Sequence, residues 1–338
     1  MTTLHLELGK NGYDITVGGG LLCRAGEYFD LDRRVLVLTD SGVPEEYAKT
    51  VAACAKEAKI VTVPEGEGSK SLATLGWVLE EMCKLGMTRG DCVVSVGGGV
   101  VGDLGGFAAA TYMRGIDFYN VPTTVLSQVD SSIGGKTAVN HAGIKNIVGA
   151  FHQPRAVLID TDCLATLPKR QISNGLAEAV KMAMTSSAEL FELIEGMSPV
   201  EILENIEAII IESLKIKRAV VEQDEHEGGI RRILNFGHTL GHGIEAVSGK
   251  LYHGECVAIG MLPMCAPEAR ARLEAVLERL ELPTRWDGEP EDALAPVKSD
   301  KKCVAGGVMT IYVPEIGKYE IKKMTVEEFG ALARAAFR

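Results

Sequence analysis

The chain has 338 residues, which is enough for two domains that each bury a core of their own. Its formal net charge of −11 argues against nucleic acid and against an anionic membrane surface as partners. No apolar run approaches the ~18 residues that cross a bilayer, and the alternating N-terminus lacks a signal-peptide core. The eight cysteines are scattered without a C-x-x-C pair, a pattern typical of reduced thiols in a cytoplasmic protein.

Strand and helix patterns alternate through the first half of the chain. Short apolar runs end in polar residues, and helical periods separate them. The predicted strands cover residues 4–8, 13–17, 34–39, 60–63 and 156–160, and the predicted helices cover 44–58 and 72–85. This order is typical of a doubly wound α/β domain, in which ligands bind beyond the carboxyl ends of the strands.

A glycine-rich stretch follows an apolar run near the middle of this half. Gly97, Gly99 and Gly102 complete G-x-G-x-x-G, the layout of a backbone cradle for a dinucleotide pyrophosphate. A side chain there would hold the phosphates away from the backbone amides. Asp103 follows directly and strengthens this interpretation, although glycine turns also occur for packing reasons. The later Gly-Gly-Lys loop is not a P-loop, because Asp130 occupies the position of that motif's first glycine.

Polar residues stand at two of the predicted strand ends. Asp40 follows the strand 34–39, where it could accept hydrogen bonds from an adenosine ribose or cap the next helix. Glu67 and Lys70 follow the strand 60–63, where they could clasp a nucleotide or belong to a solvated turn. Both pairs of alternatives stay open on the sequence alone.

Helical periods dominate the chain from about residue 161. We therefore expect a domain boundary there, with an α/β domain over 1–160 and a mostly α-helical domain over 161–338. The predicted helices cover residues 175–195, 200–221, 230–247, 254–264, 267–280 and a segment from 326, and the predicted strands cover 308–313 and 318–321.

A group of residues in the second half has chemistry that packing does not explain. His238 and His242 are four apart and share a helix face. This spacing is that of a zincin, but the general base of that family would stand at Thr239, which argues against a metalloprotease. Glu178, His238 and His253 make instead the two-histidine, one-carboxylate set of an open catalytic zinc site. His242 is then available as an acid or base, and a packed or surface role is the alternative for each histidine.

Basic residues gather next to these motifs in an otherwise acidic chain, which indicates a site for a polyanion. Lys181 follows Glu178 by three residues and shares its helix face. For Lys217 and Lys302 a solvated helix face is the alternative. The basic residues are Lys136, Lys145, Lys181, Lys217, Arg231, Lys301 and Lys302, and the neutral donors beside them are Asn146, Asn174 and Asn235.

These motifs resemble the 3-dehydroquinate synthase family, of the sugar-phosphate cyclase superfamily. The similarity runs nearly end to end and is densest in PEGEGSKS, GGGVVGD, TYMRG, PTTVLSQVDSSIGGKTAVN, KNIVGAFHQP, LPKRQISNGLAEAVK, RRILNFGHTLGHGIEA, YHGE and DKK. The chain departs from the family at Ile144 and Gln171, where glycine and glutamate are usual, and in a shorter segment after Met261. None of these departures touches a ligand that the resemblance implies.

The resemblance implies a Rossmann-like NAD-binding α/β domain followed by a mostly α-helical metal- and substrate-binding domain. It implies zinc or cobalt on Glu178, His238 and His253. With Gly97 from the glycine motif and Lys145 from the basic group added, the implied NAD-binding set is Asp40, Glu67, Lys70, Gly97, Gly98, Gly99, Val100, Asp103, Thr123, Thr124 and Lys145.

The resemblance also implies a reaction and a substrate. The reaction converts 3-deoxy-D-arabino-heptulosonate 7-phosphate to 3-dehydroquinate and phosphate, a lyase step of the shikimate pathway that leads to chorismate and aromatic amino acids. It proceeds by NAD-dependent transient oxidation, phosphate elimination, re-reduction and aldol closure. NAD is regenerated in each cycle. Family members are homodimers, in which the residue matching Arg114 reaches the neighbouring subunit's site.

The implied residue roles divide into catalysis and substrate binding. The catalytic set is His242, Glu227, Lys181 and Asp130. Among these, Glu227 matches a position with a proton-transfer role, and Lys181 would hold a substrate hydroxyl. The substrate-binding set has Arg114, Lys136, Asn146 and Asn235 for the phosphate, Lys217 and Arg231 for the carboxylate, and Lys302.

Other functions remain open at this point. A different sugar-phosphate cyclase would act on a substrate without the carboxylate, and Lys217, Arg231 and His242 argue against it. A metal-dependent polyol dehydrogenase of the glycerol dehydrogenase type would not need Lys136 and Asn146 to meet a phosphate. A non-catalytic NAD-binding protein would have no reason to keep three metal ligands beside His242.

Overall fold

The computed structural model describes residues 1–299, 303–304 and 307–337. Contacts within the chain divide it into two compact units, Met1–Leu167 and Pro168–Arg338. The first is an α/β unit and the second is mostly helical, so the predicted fold class is confirmed. The boundary that the sequence predicts, after residue 160, lies between the last strand of the first unit and its closing 3-10 helix, Thr161–Thr166.

The first unit contains a large sheet and a separate hairpin. Its strands are β1 (Thr2–Leu6), β2 (Tyr13–Gly18), β3 (Arg34–Asp40), β4 (Glu57–Val63), β5 (Cys92–Gly97), β6 (Asp117–Pro122), β7 (Lys136–His141), β8 (Ile144–Phe151) and β9 (Ala156–Asp160). Its helices are α1 (Ala25–Tyr28), α2 (Glu45–Ala52), α3 (Leu72–Lys84) and α4 (Gly99–Thr111).

The strand order of the large sheet is β1-β2-β9-β6-β5-β3-β4. Every neighbouring pair is parallel except β1 with β2 at the edge. From β3 the chain moves outward to β4, whereas from β5 it moves the other way to β6. The direction of winding therefore reverses between β3 and β5, and such a reversal opens a ligand-binding crevice at the carboxyl ends of the two strands.

Both faces of this sheet are covered, as its apolar strands require. On β3, Leu36 and Leu38 pack into a core with α3 and α4, whereas Val35 and Val37 pack into a second core with α1 and α2. Successive side chains of a strand point to opposite faces, so an unbroken apolar run supplies both cores.

Glycine brings α4 unusually close to β5 of the large sheet and to β7 of the hairpin. A Cβ atom on Gly105 would lie 2.1 Å from Ser95 Oγ, and one on Gly106 would lie 2.5 Å from Thr137 Cγ2. No real Cβ atom tolerates such distances, so this helix can pack here only with glycine at these positions.

Two local predictions for this unit need correction. The predicted helix over residues 44–58 ends at Ala52, because Glu57 and Ala58 pair with Arg34 and Val35 in the β3–β4 ladder. Tertiary pairing thus overrides the helix propensity of the alanine-rich segment. The β7–β8 hairpin was not predicted, because most of β8 is exposed and lacks a strand's apolar alternation.

The second unit is built mainly from helices. They are α5 (Lys169–Ser186), α6 (Ala188–Glu195), α7 (Pro199–Glu204), α8 (Ile206–Gln223), α9 (His238–Ser248), α10 (His253–Met261), α11 (Pro267–Arg279), α12 (Pro290–Ser299) and α13 (Val326–Ala333). Its strands β10 (Cys303–Val304), β11 (Gly307–Tyr312) and β12 (Glu320–Met324) form an antiparallel sheet. None of the helices in the described ranges combines the length and the apolar character that a membrane span needs.

Several predicted helices of this unit are interrupted. The helix predicted over 175–195 breaks at Ser187, which has an extended backbone and caps α6 by accepting a hydrogen bond from the Leu190 N–H. The helix predicted over 200–221 is α7 and α8, and the one over 230–247 is a 3-10 helix, Ile230–Asn235, followed by α9. Apolar periodicity continued across each break, so it did not reveal the caps.

Helices α9 and α10 approach each other through glycine. A Cβ atom on Gly260 would lie 2.1 Å from the carbonyl oxygen of Gly237. Gly237 itself has a φ of 76°, which glycine adopts at little cost. This contact brings the start of α9 close to α10, and each of these helices begins with a histidine.

Candidate active site

The glycine motif forms the turn from β5 into α4. Gly97 ends the strand, Gly98 is the N-cap, and no side chain caps the helix. The first N–H groups of α4 are therefore available to an anion, which the helix dipole also favours. Thr124 lies beside this turn, because a Cβ atom on Gly98 would be 3.2 Å from the Thr124 methyl group. The structure thus brings together the predicted cofactor residues of the two loops, 97–100 and 123–124.

Three further residues of the predicted cofactor set lie in contact. Lys70 is buried and its Nζ lies 2.5 Å from Asp103 Oδ2 and 3.9 Å from Glu67 Oε1. The solvated-turn alternative is therefore wrong for Lys70, whereas the Glu67 side chain is 41% exposed. A buried, paired lysine beside the glycine turn has a fixed position from which it can meet a polar ligand.

Asn140 was missed by sequence reasoning. Its amide Nδ2 donates to Glu67 Oε1 at 2.8 Å, and its Oδ1 accepts from the Asn146 N–H at 2.9 Å. Asn140 thus connects the predicted cofactor residue Glu67 with the predicted phosphate ligand Asn146. The only signal in the sequence was its place in the long GGKTAVN motif, since the hairpin that carries it was not predicted.

Asp40 lies at the carboxyl end of β3, beside the crevice where the winding reverses. It does not cap α2, because that helix begins at Glu45 with Pro44 as its N-cap. Its Oδ1 accepts a hydrogen bond of 2.8 Å from the Gly42 N–H. Burial raises the pKa of this carboxyl, and the Gly42 N–H opposes that effect. The helix-cap alternative is therefore wrong, and the ribose-binding role stays a prediction.

The predicted phosphate ligands of the first unit are exposed. Lys136 begins β7, Asn146 lies on β8 next to the predicted cofactor residue Lys145, and Arg114 follows α4. Lys136 and Asp103 line the same small polar recess, which joins a predicted substrate residue to a predicted cofactor residue. Arg114 and Asn146 have φ values of 70° and 54°, in the left-handed region that few non-glycine residues occupy. Asp130 lies nearby in sequence, in the π-helix Ser127–Ser131.

The second unit gathers the predicted metal ligands. Glu178 is fully buried, and its Oε1 lies 3.5 Å from His253 Nε2 and 3.9 Å from His238 Nε2. Ligand atoms of His238, His242 and His253 lie within 4.8 Å of one another. Lys181, also buried, forms an ion pair with the other oxygen of Glu178. All four residues that the sequence analysis singled out, together with Lys181, therefore lie in one cluster.

Outer contacts orient both histidines of the predicted metal set. His238 Nδ1 lies 3.1 Å from the carbonyl oxygen of Phe236, and His253 Nδ1 lies 3.3 Å from Glu245 Oε2. When each Nδ1 carries the proton, each Nε2 presents a lone pair toward Glu178. Glu245 was missed by sequence reasoning, because only the packing of α9 beside α10 shows what it contacts.

The pKa values of His238 and His253 are shifted in opposite directions. Burial, Lys181 and the other two histidines lower the pKa of His238 well below its usual value. Burial also acts to lower the pKa of His253, but Glu178 and Glu245 outweigh it and raise this pKa to about 10. A metal that binds His253 must therefore displace a proton.

The donor set fits a zinc-like ion. Glu178 Oε1 is buried and accepts no hydrogen bond from the described residues, which is costly for a carboxylate oxygen unless a cation meets it. Two imidazole nitrogens face the same oxygen, and this combination suits zinc or cobalt.

A loop after α8 carries two of the other predicted residues. Asp224 accepts hydrogen bonds from the N–H groups of Gly228, Gly229 and Arg231 at 2.8, 2.7 and 3.0 Å. Burial acts to raise the pKa of Asp224, but these N–H groups and the Arg231 charge lower it. Glu227, with a φ of 60°, accepts from Asn235 Nδ2 at 2.6 Å. The loop is therefore held in a defined shape.

The remaining predicted substrate residues of this unit are placed as follows. Lys217 on α8 and Arg231 are both buried, so the solvated-face alternative is wrong for Lys217. Asn174, expected among the neutral donors, donates to Gln171 Oε1 and accepts a hydrogen bond from the Gly254 N–H. Lys301 and Lys302 lie outside the described residues.

Comparisons with known proteins show which family this chain resembles. The chain matches the model for the 3-dehydroquinate synthase N-terminal region over residues 60–174 and the model for its C-terminal region over residues 175–303. The 3-dehydroquinate synthase of Pelobacter propionicus is 42% identical, over 98% of this chain and 99% of that protein.

Solved structures similar to this chain include two other synthases. A 2-deoxy-scyllo-inosose synthase, crystallised with carbaglucose-6-phosphate, NAD+ and Co2+, is similar with a TM-score of 0.91 at 25% identity, over 99% of this chain and 100% of that one. The 2-epi-5-epi-valiolone synthase of Streptomyces hygroscopicus subsp. jinggangensis, with NAD+ and Zn2+, has a TM-score of 0.88 at 28% identity, over 96% of each chain. Two family models together span residues 60–303, and one relative matches nearly end to end. This chain therefore belongs to the 3-dehydroquinate synthase family.

Proposed function

We propose that this protein is a 3-dehydroquinate synthase, a lyase that converts 3-deoxy-D-arabino-heptulosonate 7-phosphate to 3-dehydroquinate and phosphate. The observation that carries this proposal is the end-to-end similarity to a named 3-dehydroquinate synthase at 42% identity. The clustered metal ligands and the cofactor crevice support it, because a synthase of this kind needs both.

The proposed cofactors are NAD and a zinc or cobalt ion. NAD+ with Co2+ or Zn2+ in the two solved cyclases supports this choice, as does the buried Glu178 oxygen that faces two histidines. When bound, NAD takes up and returns a hydride, and the metal polarises substrate hydroxyl groups. His238, His253 and Glu178 would hold the metal. The glycine turn, Asp40 and the Glu67–Lys70–Asp103 group would hold NAD.

The chain's own residues would bind and orient the substrate. We assign Lys136, Asn146, Asn235 and Arg114 to the phosphate, whose charge favours cationic and N–H donors. We assign Lys217 and Arg231 to the carboxylate. Both are buried, where solvent screens the attraction between opposite charges less than at an exposed site. Lys302 is kept in the substrate set as a sequence-based prediction.

Proton transfer is assigned to His242, Glu227 and Asp130, with Lys181 as the donor to a substrate hydroxyl. The Glu227 carboxylate is held by Asn235 and by its strained backbone, so its position is defined before substrate arrives. Lys181 is held by Glu178, which supports a fixed place beside the metal.

A homodimer is also proposed. Met113 and Phe151 are exposed apolar residues, and they flank the region of Arg114, where the Gly115 turn lies against His152. A second copy that covers them would carry Arg114 into a shared surface. The cytoplasmic location and the domain boundary after residue 160 stay predictions.

The main rival is another sugar-phosphate cyclase, whose substrate lacks the carboxylate. The two solved cyclases of that kind are 25% and 28% identical to this chain, against 42% for the 3-dehydroquinate synthase. The burial of both Lys217 and Arg231 also favours a carboxylated substrate.

The deciding experiment measures phosphate release together with NADH absorbance. With NAD far below the substrate concentration, heptulosonate phosphate should release stoichiometric phosphate while NADH absorbance stays nearly flat. Glucose 6-phosphate and sedoheptulose 7-phosphate should release none. Steady accumulation of NADH, one per substrate consumed, would identify a dehydrogenase instead.

A further inference from the structure

We propose that Arg170 and Asn174 are positioning residues for the metal ligand His253. They hold residues 252–255 against α5, and so they aim the imidazole at Glu178. This inference rests on the metal site proposed above, and neither residue is assigned to ligand binding there.

The helical spacing of α5 puts three contacts in one row. Arg170, Asn174 and Glu178 follow one another at intervals of four residues and therefore lie along one side of the helix. Each of them meets the start of α10 at a different residue. Arg170 contacts Glu255, Asn174 contacts Gly254, and Glu178 lies beside His253. Adjacent turns of α5 therefore carry Glu178 and the two residues that contact the start of α10, where His253 lies.

Arg170 contacts residues at both ends of the segment 252–255. Its Nε donates to Glu255 Oε1 at 2.6 Å, and its NH2 group donates to Glu255 Oε2 and to the Lys250 carbonyl, each at 2.8 Å. The guanidinium also lies 4.3 Å from the centre of the Tyr252 ring. Glu255 in turn accepts from the Tyr252 N–H at 2.8 Å. A bidentate pair with a stacked ring fixes direction as well as distance.

Asn174 fixes the residue directly after the ligand. Its Oδ1 accepts from the Gly254 N–H at 2.6 Å, and its Nδ2 donates to Gln171 Oε1 at 3.2 Å. The two backbones touch here, because a Cβ atom on Gly254 would lie 1.9 Å from the Asn174 carbonyl oxygen. Residues on both sides of His253 are thus attached to α5.

This attachment matters because metal affinity depends on how well the ligands are placed in advance. Removing an outer contact that orients a ligand typically weakens metal binding about 10- to 100-fold. A bridge that served stability alone would leave metal affinity unchanged when it was removed.

The chain offers a matched control for this distinction. Arg272 donates from Nε to Glu195 Oε1 at 2.9 Å, forms a second bond to Glu195 Oε2, and lies 5.3 Å from the centre of the Phe191 ring. It therefore repeats the bidentate pair and the aromatic contact of Arg170, but it joins α6 to α11 and touches none of the metal ligands.

The experiment titrates zinc or cobalt into chelator-stripped full-length protein. The variants are Arg170→Met, Arg272→Met and His253→Ala, and the readouts are the dissociation constant and the absorption spectrum of bound cobalt. We expect about a 10- to 100-fold weaker constant and an altered spectrum for Arg170→Met. Arg272→Met should match the wild type in both. Equal constants for Arg170→Met and wild type would overturn the proposal.

Milder variants guard against a folding defect. Arg170→Lys keeps one charge but not the bidentate geometry, and it should give an intermediate constant. Asn174→Ala should weaken binding without changing a charge. If both bind like the wild type, positioning by α5 is wrong. If the wild type binds no metal, or His253→Ala binds it equally well, the proposed metal site has failed instead.

Discussion

His253 Nε2 lies 3.5 Å from Glu178 Oε1, and this buried oxygen accepts no hydrogen bond from the described residues. The other oxygen of Glu178 is paired with Lys181. The carboxylate is thus paired with Lys181 through one oxygen, and its other oxygen faces two imidazoles. A cation between them would complete its surroundings.

Loss of the third ligand should therefore empty this site. We expect His253→Ala to retain much less than a full complement of zinc, measured by elemental analysis after gel filtration. Activity should fall with the metal content, because two protein ligands hold zinc more weakly than three. His5→Ala, at an exposed histidine of the first unit, is the control and should keep both metal and activity. Full metal content in His253→Ala would contradict the assignment.

Substitutions at Lys136 and Lys145 should affect substrate binding and cofactor binding differently. Lys136→Ala removes a proposed charge-assisted contact with phosphate, at a cost of about 1.5–3 kcal/mol, or roughly ten- to a hundredfold in substrate binding or turnover. NAD affinity, measured by fluorescence titration, should change much less. Lys145→Ala should weaken NAD binding and change substrate binding much less. If Lys136→Ala weakens both ligands equally, the Gly-Gly-Lys loop serves the cofactor.

Two helical glycines of the first unit should respond oppositely to alanine. Gly105→Ala forces a methyl group against Ser95 Oγ, at 2.1 Å, and should lower the free energy of unfolding by about 1–3 kcal/mol. Gly76 lies within α3, and apart from the adjoining backbone of that helix no atom of the described residues lies within 4 Å of its Cβ position, so Gly76→Ala should raise that free energy by about 0.5–1 kcal/mol. Urea unfolding measures both. A Gly105→Ala variant as stable as the wild type, or more stable, would mean that α4 does not pack as closely as described.

The lowered pKa of Asp224 predicts that the free energy of unfolding depends on pH. Its pKa is lowered in the folded protein, because the N–H groups of Gly228, Gly229 and Arg231 outweigh its burial. Such a carboxylate stabilises the fold above its ordinary pKa of about 4, and the contribution is lost as the pH falls through the lowered value. Asp224→Asn should therefore be less stable than wild type near pH 7, and the difference should shrink in acid.

The control for this measurement is Asp32→Asn, because the Asp32 side chain is 85% exposed. It should stay close to the wild type in urea unfolding across the whole pH series. A difference between Asp224→Asn and wild type that is constant with pH would rule out the carboxylate charge as its source. Turnover of Asp224→Asn should also fall, because a displaced loop moves Glu227.

Local patterns were sufficient to predict the fold class and the chemistry of the ligands. Apolar runs between helical periods predicted the parallel sheet, and β9 begins and ends where the sequence placed it, at Ala156–Asp160. The glycine motif predicted the turn into α4, and the residue types of Glu178, His238 and His253 predicted a metal site. Each of these inferences needs only side-chain chemistry and periodicity, which neighbouring residues determine.

Contacts between distant segments were decided by the tertiary structure alone. Asn140 meets Glu67 across 73 residues, and Arg170 meets Glu255 across 85. The sequence left a solvated turn as one alternative for Lys70, and its burial against Asp103 excludes that alternative. Which carboxylate a buried lysine meets, and which face of α5 holds His253, depends on how the elements dock. That docking is set by close packing of whole helices and strands, and no local pattern records it.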